Sequence, residues 1–143
     1  MSTTELVKFN LHTSIRDFID ITDKVREAID GLISEKNLNQ ADVEGSVLVF
    51  CPYTTAAISL NENTDPDVQH DIFFGFDRAF PPRQEFKHAE GNSPAHLKNT
   101  VTGCSETIII HEGKMLLGVF QAIYLCEFDG PRNRTIYAQI HLY

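Results

Sequence analysis

The sequence predicts an α+β fold: a largely antiparallel β-sheet, closed up as a sandwich or barrel-like core, carrying about three helices. Alternating and β-branched runs recur from one end of the chain to the other, few stretches show helical spacing, and helices do not interleave regularly with strands as βαβ units would. At 143 residues, a single domain over 1–143 is predicted, long enough to bury about two thirds of the surface that its unfolded form exposes.

Each element has a local reason. LVKFNLHT and SIRDFIDI alternate, the latter with Ile15, Ile19 and Ile21 on one face beside Asp17, and they read as paired antiparallel strands. Val25, Ala28, Ile29, Leu32 and Ile33 then recur at helical spacing, which predicts a helix over 23–36 with Thr22 as N-cap. SVLVFC is a short β-branched and aromatic strand stopped by Pro52. TTAAISLNEN resumes as a strand with Thr55, Ala57, Ser59 and Asn61 on one face and Ala56, Ile58 and Leu60 on the other. DPDVQHDIFFGFDRAF starts a second helix with Asp65 as cap and Pro66 in the first turn, ending before Pro81 and Pro82. Ser93-Pro94 starts a third, short helix that ends at Gly103. The tail from Glu106 to Tyr143 reads as a three-stranded meander with turns at Glu112-Gly113 and Asp129-Gly130.

Composition excludes several classes of function. Twelve basic against twenty acidic residues, a formal charge of −8, argue against nucleic acid as a partner, because phosphate-backbone binding rests on clustered Lys and Arg. No apolar run approaches the roughly 20 residues that cross a bilayer, so no membrane partner is expected. The opening MSTTELVKFN has neither a basic start nor an apolar core, and a cytoplasmic location is expected. Cys51, Cys104 and Cys126 are odd in number, without C-x-x-C spacing, and read as reduced thiols. Cys51 and Cys104 invite a nucleophile reading, but small buried hydrophobes are the expected role of both.

The chemistry concentrates in HAEGNSPAH, His88 to His96. His96 falls in the first turn of the third helix, near its positive end, while Gly91 lets the loop carrying His88 and Glu90 fold back over that end. Imidazoles with a carboxylate suit zinc or another divalent ion, and free helix N–H groups suit an anion. H-x-E-x5-H is no recognised zinc signature, so a polar loop leading into a helix is the competing reading. Arg132 and Arg134 in FDGPRNR either reach a phosphate or form a solvated hairpin tip. Gln121, in phase with Leu117, Val119, Ile123 and Leu125, either braces a loop or lines a pocket.

TTAAISLNENTDPDVQHD, HAEGNSPAHLKNTVTGCS and GVFQAIYLCEFDGPRNR, in that order, resemble the YjbQ-like family, also described as the secondary thiamine-phosphate synthase enzyme family, over nearly the whole chain. The resemblance implies an α+β fold, a homotrimer, a divalent metal (zinc first) and a thiamine-phosphate synthase type of transferase activity, joining a pyrimidine diphosphate to a thiazole phosphate. It assigns His88 and His96 to the metal and Glu90 and Glu62 to catalysis. Tyr53, Thr54, Thr55, Asn61, Asn92, Gln121, Arg132 and Arg134 fall to a small anionic substrate. The chain departs from the family pattern at Tyr53, where relatives carry His, and at Phe120, where they carry Trp. A phenol titrates near pH 10 and is a poor zinc ligand at neutral pH, so Tyr53 predicts reduced metal occupancy. Two other functions compete: a metabolite-binding trimer without efficient turnover, whose aromatic Tyr53 and Phe120 would stack a flat ring, and a metal-dependent hydrolase with Glu90 as base.

Overall fold

The computed structural model describes residues 2–143. In chain order the elements are β1 (Thr3–His12), β2 (Asp17–Asp20), α1 (Thr22–Glu35), a 3-10 turn (Gln40–Asp42), β3 (Gly45–Phe50), β4 (Ala56–Glu62), α2 (Pro66–Ala79), α3 (Ser93–Thr102), β5 (Ser105–His111), β6 (Lys114–Met115), β7 (Gln121–Glu127) and β8 (Asn133–Leu142). They build the expected α+β fold: an antiparallel five-stranded sheet in the order β1-β8-β3-β5-β6 and an antiparallel three-stranded sheet in the order β2-β7-β4. Among the described residues no helix is long and apolar enough to cross a membrane.

Two clusters of apolar side chains hold the sheets. The larger fills the concave side, where Val47, Val49, Ile136 and Ile140 of the first sheet meet Ile58, Ile123 and Leu125 of the second, and α1 closes it with Val25, Ile29, Leu32 and Ile33. The smaller lies on the other face of the three-stranded sheet, where Phe18, Ala57, Tyr124, Cys126 and Phe128 pack under α2 and α3. β7 is therefore covered on both faces, which is why AIYLC is a continuous apolar run rather than an alternating one. Gly45 marks the tightest seam, since a Cβ there would collide with the backbone carbonyl of His141.

The local elements match the sequence better than their partners do. α2 begins as expected, with the Asp65 carboxylate accepting from Asp67 N at 2.9 Å. At α1 the cap is displaced by one step. Asp20 Oδ1 accepts from Thr22 N at 2.9 Å and from its hydroxyl at 2.6 Å. The Thr22 hydroxyl in turn accepts from Ile123 N at 2.8 Å, tying the helix to β7 instead of capping it. The first two strands do not pair with each other: β1 pairs with β8 and β2 with β7. Buried Thr13 makes the crossing, its N–H donating to Arg132 O at 2.9 Å and its hydroxyl to Glu127 Oε1 at 2.6 Å. Nor is the tail a meander, because β5 and β8 flank β3 in the large sheet whereas β7 centres the small one.

Candidate functional site

α3 starts at Ser93 with Asn92 in the N-cap position, one residue ahead of the expected cap. The Asn92 carbonyl accepts from Ala95 N at 3.0 Å, but its side chain turns away from the helix and Nδ2 donates to Asp129 Oδ2 at 2.8 Å. Gly91, at φ +75°, closes a turn in which its N–H donates to His88 O at 3.1 Å. That turn sets the two imidazoles edge to face, with ring centres 5.2 Å apart. α3 is fixed from below by Asn99, whose Nδ2 donates to Tyr53 O at 3.2 Å and Ala56 O at 2.7 Å. Buried Lys98, 2.8 Å from Asp77 Oδ1, ties it sideways to α2.

His88, Glu90, Asn92 and His96 form one wall of a cavity of about 460 Å³, and the Pro52–Thr55 segment with Arg132 and Arg134 forms the rest. The two arginines differ in kind. Arg134 is 3% exposed and sits in a fork on fully buried Glu127, Nε to Oε1 at 2.8 Å and Nη2 to Oε2 at 2.5 Å. Nη2 also donates to Thr55 Oγ1 at 3.0 Å, and the guanidinium carbon lies 4.8 Å from the centre of the Tyr53 ring. Arg134 thus braces the cavity floor, a role that its expected place as a phosphate clamp did not include. Burial alone would raise the Glu127 carboxyl, but hydrogen bonds from Arg134, Thr13 and the Asp129 amide outweigh it and hold the group below the ordinary range. Exposed Arg132 is tethered at the mouth, donating through Nε to Asp129 O at 2.8 Å and lying 3.1 Å from Asp129 Oδ2 through Nη2. It is the solvent-facing cation of the pair.

Three assigned residues lie elsewhere in the chain. Asn61 and Glu62 end the strand that begins at Ala56, about 17 and 20 Å along it at roughly 3.3 Å per residue. Gln121 is directly opposite Glu62 in the register and exposed, and its Oε1 accepts from Gly118 N at 2.8 Å. It braces a turn, because Leu117 to Phe120 lie outside any strand. Conversely, Glu127, Asp129, Thr13 and Asn99 support the cavity without having been singled out from the sequence. A carboxylate closing the apolar run AIYLC, seven residues before an arginine, was the available signal for the first of these.

The metal can be tested against these groups. Two imidazoles on one tetrahedral ion, with bonds of about 2 Å, have ring centres about 5 Å apart, and the 5.2 Å of His88 and His96 fits that. Among the described residues no group of three His, Cys, Asp or Glu side chains stands close enough to hold an ion. Tyr53 does not supply the third: its phenol oxygen accepts from Thr135 N at 2.7 Å.

The chain matches the family model described as UPF0047 protein YjbQ-like over residues 7–142. A UPF0047 protein of Methanocaldococcus jannaschii is 43% identical over 94% of this chain and 93% of its own length. The UPF0047 protein YugU of Bacillus subtilis is 41% identical over 94% and 98%. Among solved structures, a YjbQ/UPF0047 family protein of Clostridium acetobutylicum superposes with a TM-score of 0.84 at 46% identity, covering 94% of this chain and 98% of its own. A protein of unknown function from Sulfolobus solfataricus does so with 0.86 at 28% identity, covering 99% of both chains.

Proposed function

The chain belongs to the YjbQ-like UPF0047 family, and on that premise we propose that the cavity binds a small phosphorylated metabolite. The observation that carries the reading is the convergence of two imidazoles, 5.2 Å apart, with Arg132 and the Thr54 and Thr55 segment in one solvent-open cavity. Arg132 reaches phosphate oxygens from the mouth, exposed Thr54 offers a hydroxyl donor beside it, and the imidazole N–H groups of His88 and His96 add donors on the facing wall. Such a site serves a transfer of the thiamine-phosphate synthase type, in which a ring nitrogen attacks and pyrophosphate leaves. The residues' task there is to neutralise the leaving pyrophosphate; the ring nitrogen carries no proton to lose and ends as a cation, whose charge the Glu90 carboxylate on the rim offsets. A divalent ion on His88 and His96 would add to that neutralisation. Tyr53 favours a second reading, binding without efficient turnover, because its oxygen is engaged by Thr135 and its ring lies under Arg134.

Titration with inorganic pyrophosphate, with and without zinc, followed by calorimetry, tests the site. Saturable binding that weakens about tenfold in Arg132→Ala and again in His88→Ala is expected; affinity unchanged in both would sink the proposal. We further propose that the chain forms a homotrimer. Leu6, Leu48, Phe50 and Ile109 leave the outer face of the large sheet apolar, and β1, β2 and β4 present unpaired edges. A neighbouring subunit could then bring Asn61, Glu62 and Gln121 to another chain's cavity. Sedimentation at micromolar concentration giving a monomer would remove the trimer.

A further inference from the structure

We infer that Cys51 and Cys104 form a reversible cross-strand disulfide, a modification site that joins the two sides of the cavity's support. β3 and β5 are antiparallel with Phe50 opposite Ser105, and one further step sets Cys51 opposite Cys104. The backbone keeps that register beyond the strand ends, since Cys51 N donates to Cys104 O at 2.8 Å. Directly opposed residues joined by such a bond have Cα atoms about 5.5 Å apart, inside the roughly 4.4–6.8 Å that a disulfide spans. Cys51 belongs to the concave cluster, and alternation along β5 turns Cys104 to the same side. Cys51 continues the inward row of Val47 and Val49, and Cys104 the row of Ile108 and Ile110. Cys126 lies on the opposite face of the small sheet, in the outer cluster, and is no partner for either.

The accessible member starts the reaction. Cys104 is half-buried and Cys51 fully buried, and burial pushes the Cys51 thiol up to about 11, so the Cys104 thiolate is the attacking group. With a hydroperoxide as oxidant, the Cys104 sulfur attacks one peroxide oxygen, the O–O bond breaks, and hydroxide leaves a sulfenic acid. Cys51 gives up its proton, its sulfur attacks the Cys104 sulfur, and the S–O bond breaks. For hydrogen peroxide the two thiols are oxidised to one disulfide while the peroxide is reduced to two waters. Cys51 precedes the Pro52-Tyr53-Thr54 segment and Cys104 follows the helix bearing His96, so the bond staples one cavity wall to the other's support.

The full-length protein is treated with hydrogen peroxide, alkylated in denaturant and weighed by mass spectrometry. The expected result is a fall from three alkylated cysteines to one, Cys126, with a peptide linking Cys51 to Cys104 that dithiothreitol releases. Cys104→Ser abolishes the link, Cys126→Ala leaves it intact, and Cys51→Ala stops the reaction at the Cys104 oxyacid. Three alkylated cysteines after treatment, a Cys51–Cys126 or intermolecular link, or a wild-type chain that ends as the Cys104 oxyacid would each overturn the inference.

Discussion

Replacing Glu127 by glutamine tests the floor of the cavity. The carboxylate is fully buried, accepts both arms of the Arg134 fork, and also takes the Thr13 hydroxyl and the Asp129 amide. The amide of Glu127→Gln would fill the same volume but leave a 3% exposed guanidinium without its counter-charge. Breaking a buried pair from one side costs about 3–5 kcal/mol. Against the roughly 5–15 kcal/mol by which domains are typically stable, that is a large fraction. At roughly 3 °C per kcal/mol for a chain of this size, the midpoint should fall by about 10–15 °C. Thermal and urea unfolding of Glu127→Gln, Arg134→Met and the double variant measure this, and the two losses should be sub-additive by about 2–3 kcal/mol. The sign with pH follows from the lowered carboxyl. Its contribution is complete above the unfolded value near 4.3 and is lost as pH falls through the folded one, so the wild type should lose more stability there than Glu127→Gln, whose remaining slope comes from other lowered carboxyls such as Asp77. A cost below about 1 kcal/mol, or strict additivity, would refute the reasoning.

Three further outcomes are expected. The wild type should purify with substoichiometric zinc, and Tyr53→His should raise occupancy in a way that His88→Ala cancels; one tight zinc per wild-type chain by elemental analysis would oppose this. The His111 imidazole, 2.6 Å from Glu44, should titrate by NMR above the ordinary 6.5, chiefly through that hydrogen bond. The pair's stabilisation is therefore present below 6.5 and lost as pH rises through the raised value, and Glu44→Gln should bring the titration down toward 6.5, leaving only the smaller pull of Glu112. Gly45→Ala should cost about 1–3 kcal/mol in urea unfolding by forcing β3 from β8, whereas Gly31→Ala, inside α1 where a Cβ meets nothing within 4 Å, should stabilise by about 0.5–1 kcal/mol.

What could be read from the sequence was local. The Asp65-Pro66 start, the proline stop and the two rows of β4 rest on interactions between near neighbours, and all three are present. Gly91 gave a physical reason for His88 to return toward His96, and it does. Strand partnership was a different matter, because alternation says which face a residue takes but not which strand lies beside it. Thr13, a single buried hydroxyl in an unremarkable HTS, decides that β1 and β2 part company. The family motifs likewise order Asn61, Glu62 and Gln121 with the histidines along the chain, but β4 carries the first two to the far end of the sheet. Arg134 is a related case: its neighbour Arg132 has the same charge and lines the same cavity, and only the burial of Glu127 separates a brace from a solvent-facing cation.

No residue of α2 is buried, although α1 lies deep in the concave core. Its hold on the sheet is mainly the Phe18–Phe73 and Phe76–Phe128 contacts, at 4.9 and 5.8 Å between ring centres, and the Asp77 carboxylate shared by Arg16 and Lys98. Such a helix can detach at a fraction of the global unfolding free energy, and its amides should exchange with solvent well before those of β7. Each detachment takes Asp77 away from Lys98, leaving that buried ammonium on α3 without its counter-ion. Any such opening would therefore reach the helix that carries His96, since the Asp77–Lys98 pair ties the cavity wall to the outer helix.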